Sequence, residues 1–213
     1  MNRQRIWGSA SGCTKVNETI KYYNQHAGEY YKSTINVDFN QLHRKFVSLL
    51  PENARIIDIG CGSGRDVKAF CDLGYQAIGL DASEELANEA MRHLEIEVVV
   101  GDMATWVAQE PFDGIWCCAA LLHLREEEAN SFFHNLQYNL KPGGILFLSV
   151  KEGIETGPDE KERYMRNYTK QELSEKLENA GLETIAIEKT ADRLGRDDFH
   201  WLNALAKMII EKE

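Results

Sequence analysis

The sequence predicts an α/β domain: a doubly wound, mostly parallel sheet of seven strands with helices on both faces. Short β-branched or apolar runs alternate with helical stretches from Arg55 to Ala180, the pattern of a covered parallel sheet. Glycines and acids gather just after the first three runs, where such sheets bind ligands. The last two runs have no helix between them, which places an antiparallel hairpin at one edge.

The elements follow in order. Residues 1–15 read as a flexible tail and 16–213 as one domain, divided into a helical segment (16–50), a ligand-binding half (55–150) and a substrate loop with closing strands (151–213). Leu42, Phe46, Leu49 and Leu50 recur at three- and four-residue spacing before Pro51 stops that helical segment. Strands are then expected over 55–59, 75–80, 97–100, 112–118 and 145–150. Helices are expected over 66–73, stopped by Gly74, over 83–94 with Ser83 as N-cap, over 104–109 and over 126–140. The run 141–144, Lys-Pro-Gly-Gly, reads as a turn, and 151–163 as a polar loop. Thr169 caps a last helix that Gly181 stops, and strands 182–189 and 201–210 close the sheet around a charged loop, 191–199.

A net charge of −10 repels phosphate backbones and argues against a nucleic-acid partner. The one acid-free basic stretch is the N-terminus, with Arg3, Arg5 and Lys15. No apolar run reaches the roughly eighteen residues of a membrane span, and none near the start suits a signal peptide. Five cysteines, an odd number without C-x-x-C spacing, read as reduced thiols, with Cys117 and Cys118 in the core. These features suggest a cytoplasmic protein and carry no signal on oligomeric state or on a metal site.

The chemistry gathers at three strand ends. Asp58-Ile59-Gly60-Cys61-Gly62-Ser63-Gly64 offers a turn whose glycines let the backbone approach a ligand. Asp81 ends the second strand, where an acid can accept from both hydroxyls of a ribose. Gly101-Asp102-Met103 ends the third, where an acid can meet an adenine amino group. A nicotinamide-type G-x-G-x-x-G is not met, because position 65 is Arg65, and Asp58 is an awkward neighbour for a pyrophosphate but suits a cationic amino-acid tail.

With Phe112-Asp113, Leu122-His123 and Leu140-Lys141-Pro142-Gly143-Gly144, these segments resemble the ordered motifs of class I S-adenosylmethionine-dependent methyltransferases, Rossmann-like in fold, over roughly residues 20–210. The likeness is greatest to their small-molecule branch, of the tellurite-resistance and ubiquinone-biosynthesis types. It implies S-adenosylmethionine as cofactor, leaving as S-adenosylhomocysteine, and a small-molecule acceptor attacked by in-line displacement. It also implies cofactor contacts from Asp58, Gly60, Cys61, Gly62, Asp81, Ala82, Asp102, Met103 and Ala119, beneath an N-terminal lid that brings Tyr22 and Tyr30, with Tyr23 the weaker candidate.

His123, after the fourth strand, suits a general base for the acceptor, and equally a structural histidine at the strand–helix turn. Arg163, Arg166, Arg193 and Arg196 are candidates for an anionic acceptor or solvated loop charges. His200 is expected in the pocket and Trp201 in the core. The alternatives are an RNA or protein methyltransferase of the same fold, or a non-catalytic cofactor-binding module.

Overall fold

A computed structural model describes residues 17–196 and 199–210. The expected tail 1–15, with Arg3, Arg5, Cys13 and Lys15, lies outside the described residues. Among the described residues no helix is long and apolar enough to cross a membrane.

Seven strands form one sheet. In chain order they are β1 (Arg55–Ile59), β2 (Gln76–Asp81), β3 (Val98–Val100), β4 (Phe112–Cys118) and β5 (Leu140–Lys151), then β8 (Leu182–Ala191) and β9 (His200–Met208). Their spatial order is β3-β2-β1-β4-β5-β9-β8, with β1 to β5 parallel and β9 antiparallel to both of its neighbours. The chain runs outward from β1 to β3 and then returns to β4, so strand order reverses between β1 and β4. A crevice opens there, beyond the carboxyl ends of the strands.

Residue alternation along the strands explains the two layers. Ile57, Ile59, Ile115, Cys117, Leu146 and Leu148 face one core with α6 (Glu126–Asn139) and α7 (Lys170–Asn179). The intervening Ile56, Trp116 and Phe147 face the other core with α3 (Asn40–Val47), α4 (Arg65–Asp72) and α5 (Glu84–Leu94). Trp116 and Phe147 stack with ring centroids 3.7 Å apart. Ser83 Oγ accepts from Leu86 N–H and Thr169 Oγ1 from Glu172 N–H, the helix caps their sequence predicts.

Three expectations need correction. Residues 104–109 form no helix: Asn135 and Asn139 on α6 bond to the backbone of Ala104, Trp106 and Ala108, taking groups a helix would use internally. Residues 141–144 are the start of β5, bulged between the pairs Phe112–Leu140 and Gly114–Ile145 and tied by Lys141 to Asp113. The loop 151–163 contains β6 (Thr156–Pro158), paired with β7 (Tyr164–Arg166) in a small second sheet. Asp159 closes that hairpin by accepting from the backbone N–H groups of Lys161 and Arg163. Strands this short and polar carry no alternating pattern to read.

The buried face of α3 holds an ionic network. Asp66, 4% exposed, accepts from Trp116 Nε1 at 3.0 Å, pairs with His43 Nε2 at 2.8 Å and receives both Nε and Nη2 of Arg65. Burial alone would raise its pKa. The Arg65 charge and the bonds from His43 and Arg65 outweigh that, holding the carboxyl well below the usual range. Removing one member leaves buried charge uncompensated, so Asp66→Asn should cost roughly 3 kcal/mol at pH 7, measured by urea unfolding. A depressed pKa stabilises above the unfolded value and is lost as pH falls, so the gap between wild type and variant should narrow below about pH 4. A gap that stays constant down to pH 2 would show that the charge of Asp66 is not what stabilises the fold.

Candidate functional site

After Ile59 the chain must turn at once. Gly60 N–H and Cys61 N–H both donate to Leu80 O, at 2.7 and 3.1 Å, which locks the turn to the end of β2. Gly60 and Gly62 have φ of +73° and +52°, left-handed conformations that favour glycine. Space forbids a side chain at Gly60, where a Cβ would stand 2.2 Å from the Ala120 Cβ, and leaves little at Gly62, where one would stand 3.1 Å from the Tyr30 ring. Gly62 N–H donates to Asp81 Oδ2 and Ser83 N–H to Asp81 Oδ1, both at 2.8 Å. Burial raises the pKa of Asp81, and these two donors oppose the rise.

Two cavities meet beyond the strand ends. The first, of about 100 Å³, is lined by Gly60, Gly62, Asp81, Ala82, Asp102 and Met103. The second, of about 150 Å³, is lined by Arg65, Lys151, Arg163, Asp192, Arg193 and Trp201, among others. Tyr23, Tyr30, Cys118, Ala119 and His123 line both and so mark the junction. Ala119, at φ +58°, sits in a conformation that costs a non-glycine residue roughly 1–2 kcal/mol, with its N–H bonded to Ser149 O at 2.9 Å. The Cys118 thiol is driven well up by burial and by Asp66, which keeps it protonated and a poor nucleophile.

Asp58 lies beneath the turn, 1% exposed, and its Oδ2 has no hydrogen-bond partner among the described residues. Burial first, then repulsion from Asp66, raises its pKa well above the ordinary value, against the pull of Arg65.

Several expected residues stand elsewhere. The Cys61 side chain turns into the core: its Sγ fills the space beside Gly79, and it lines neither cavity. Tyr22 also lines neither; it stacks on His26, centroids 4.3 Å apart, because one residue along a helix is about 100° around it. Tyr23, on α1 (Glu18–Gln25), takes the place at the junction, meeting Tyr30 of α2 (Ala27–Thr34) edge to face. Trp201 lines the second cavity while His200 is exposed outside it. Arg166 turns away to Glu126 and Glu172, whereas Arg163, Arg193 and Arg196 do line the cavity.

The junction is wired. Tyr23 Oη lies 2.9 Å from His123 Nε2 and accepts from Arg163 Nη1 at 3.0 Å, while Arg163 is braced by Asp159. His123 Nδ1 lies 2.8 Å from Tyr164 O, and a carbonyl can only accept. Nδ1 therefore carries the hydrogen, Nε2 is the acceptor, and Tyr23 donates to it. Burial holds His123 neutral, with its pKa lowered to about 4, and raises Tyr23 to about 12 against the pull of Arg163. Arg163 stands among the arginines the sequence offers for an acceptor, whereas the preference for Tyr23 over Tyr22 and the place of Arg65 against Phe39 rest on contacts between distant segments, invisible to local pattern.

This wiring predicts that ¹⁵N-resolved NMR finds His123 as the Nδ1–H tautomer, with no titration above about pH 5. A midpoint near the free-histidine value would contradict the burial and the carbonyl bond.

Residues 56–144 match the family model described as a methyltransferase domain. The chain is 33% identical over 104 residues to a ubiquinone biosynthesis O-methyltransferase from Xanthomonas campestris pv. campestris (strain B100), covering 46% of this chain and 43% of that one. It is 29% identical over 102 residues to a dTDP-4-amino-2,3,4,6-tetradeoxy-D-glucose N,N-dimethyltransferase from Saccharopolyspora spinosa, covering 46% and 41%. The chain thus spans less than half the length of these curated relatives. In three dimensions it is similar to the Burkholderia thailandensis 1,6-didemethyltoxoflavin-N1-methyltransferase, solved with its didemethyltoxoflavin and S-adenosylhomocysteine. That match has a TM-score of 0.72 and 19% identity, over 95% of this chain and 94% of the other, a likeness of fold. Sheet order, the glycine turn under Asp81 and the matched segment agree: residues 56–144 are similar to a methyltransferase domain, and the chain shares the fold of solved S-adenosylmethionine-dependent methyltransferases.

Proposed function

We propose that this protein transfers a methyl group from S-adenosylmethionine to a small-molecule acceptor, with the cofactor in the smaller cavity and the acceptor in the larger. The carrying observation is the meeting of the two cavities at Tyr23, Tyr30, Cys118, Ala119 and His123. The residues present fit the cofactor. The unpartnered Asp58 Oδ2 suits its ammonium end, and a turn that admits no Cβ at Gly60 suits close approach of a ligand. The two fixed oxygens of Asp81 keep lone pairs for ribose hydroxyls, and Asp102, whose Oδ1 accepts from Ala104 N–H, borders the adenine end. Bound there, the cofactor supplies an electrophilic sulfonium methyl for in-line displacement. The free thiols of Cys61, Cys71, Cys117 and Cys118 suit the cytoplasmic setting expected from the sequence.

The chain's own contribution is orientation, dryness and a path for one proton. Tyr23 Oη gives its hydrogen to His123 Nε2 and takes one from Arg163, which leaves an oxygen lone pair for an acceptor X–H. As that proton leaves X, Tyr23 gains it and passes its own to His123. A histidine of pKa about 4 is a weak base, which suits a proton made acidic by methylation, as on an attacking hydroxyl oxygen. Helices α1 and α2 close the site. Asn24 Oδ1 accepts from Ser83 Oγ and Glu85 N–H, and Thr19 Oγ1 accepts from Tyr164 N–H.

Mass spectrometry of ligand retained by the purified protein, followed by calorimetric titration with S-adenosylmethionine, tests the reading. Asp81→Ala should weaken cofactor binding at least about tenfold, since each hydrogen bond to a charged group is worth about 1.5–3 kcal/mol; unchanged affinity in a folded variant would remove Asp81 from the site. Tyr23→Phe should leave cofactor affinity within about twofold and slow turnover about a hundredfold. Turnover equal to wild type would show that no proton passes through Tyr23.

A further inference from the structure

The walls of the larger cavity point to the class of acceptor. Phe39 presents its ring there with two guanidinium groups over it: Arg65 at 3.9 Å and Arg193 at 5.0 Å from the centroid. Arg65 is rigid, because Asp66 takes Nε and Nη2, and its Nη1 takes part in neither bond. Arg193 is anchored through Nη1 to the Asp38 carbonyl, and among the described residues it has no carboxylate partner. Two cations over one ring repel each other, a cost that Asp66 offsets on the Arg65 side. Lys151, Arg163 and Arg196 stand on the same cavity's walls, Arg163 paired with Asp159 and Arg196 with Asp192, the one acid among the described lining residues. In a chain of net charge −10, this wall gathers guanidinium groups, and Arg193 among them meets a backbone carbonyl and an aromatic ring. Tyr23, Tyr30 and Trp201 supply flat faces between the charges.

We infer that the methyl acceptor is a small aromatic acid, its anionic group held at the Arg65–Phe39–Arg193 wall and its ring among the tyrosines at the junction. Arginine suits the task, since its planar fork matches a carboxylate in two-point geometry. The inference rests on the methyltransferase reading above and narrows it to one substrate class.

The test uses probes matched in size and shape, one anionic and one neutral in each pair: 4-hydroxybenzoate against 4-hydroxybenzamide, indole-3-acetate against indole-3-acetamide, and nicotinate against nicotinamide. Each is titrated calorimetrically into the full chain saturated with S-adenosylhomocysteine. At least one acid should bind about tenfold more tightly than its amide, and the preference should shrink as salt rises. Arg193→Gln should cut that preference about fivefold while leaving S-adenosylmethionine affinity within twofold. Arg65→Gln should do the same where it folds; Arg193 lies in an exposed loop, so its variant keeps the test open if Arg65→Gln does not fold. Amides binding as tightly as acids, no acid binding at all, or a preference untouched by Arg193→Gln would overturn the inference while leaving the methyltransferase reading intact. Methyl transfer to RNA with no small acid bound would overturn it as well. A chain that binds neither S-adenosylmethionine nor its product would overturn both.

Discussion

Asp66 is a carboxylate nearly closed off from water, and the layout of the site follows from how it is satisfied. Four polar contacts converge on it from three elements: His43 from α3, Arg65 from the start of α4 and Trp116 from β4. Burying an acid costs several kcal/mol unless such partners are in place, so the three elements can settle only together. Arg65 is thereby fixed with one nitrogen to spare at the wall of the larger cavity. Asp58, on the other side of the glycine turn, feels Asp66 as a repelling neighbour. One buried charge thus positions a cation for the larger cavity and primes an acid beside the smaller one for a cationic partner.

The two cavities consequently differ in their charged lining. Asp81 and Asp102 line the smaller, with Asp58 beneath its turn, whereas Arg65, Lys151, Arg163, Arg193 and Arg196 line the larger together with Asp192. A cationic methyl donor and an anionic acceptor would each find an oppositely charged wall, and their attraction would act across the junction. Electrostatic arrangement of this kind suits displacement at a sulfonium, where positive charge on the donor is consumed as the bond forms. The total of −10 hides it, because most of that charge lies on solvated faces.

Local pattern made the sheet legible. β-Branched runs, glycine stops and caps such as Ser83 and Thr169 act through neighbours within a few residues, so the strands from β1 to β5 and the edge hairpin could be read directly. The glycine turn and Asp81 were legible for the same reason: a positive φ needs glycine, and a strand end needs a polar residue to face the crevice. Tyr23 was not. Choosing it over Tyr22 requires the rotation of α1 about its axis, which Asn24 sets through Ser83 and Thr19 through Tyr164. The same holds for residues 104–109, where amides more than thirty positions away decide the backbone. The β6–β7 hairpin is held by Asp159 rather than by apolar alternation, so its pattern was that of a loop.

These contacts also say how the site could open. Helix α1 is fastened at one end of its inner face to the start of α5 and at the other to β7, through a handful of hydrogen bonds with Tyr23 between them. Each such bond is worth about 1 kcal/mol net. Releasing them costs far less than unfolding the sheet, whose strands bury two continuous apolar cores. β1, β2 and β4 hold the glycine turn, Asp58 and Asp81 independently of α1, whereas Tyr23 meets His123 and Arg163 only with α1 docked, so a lid of α1 and α2 would bring Tyr23 into place as it covered the junction. In the reaction proposed above, the path through Tyr23 would be complete only with α1 docked, which would couple exclusion of water to readiness for transfer.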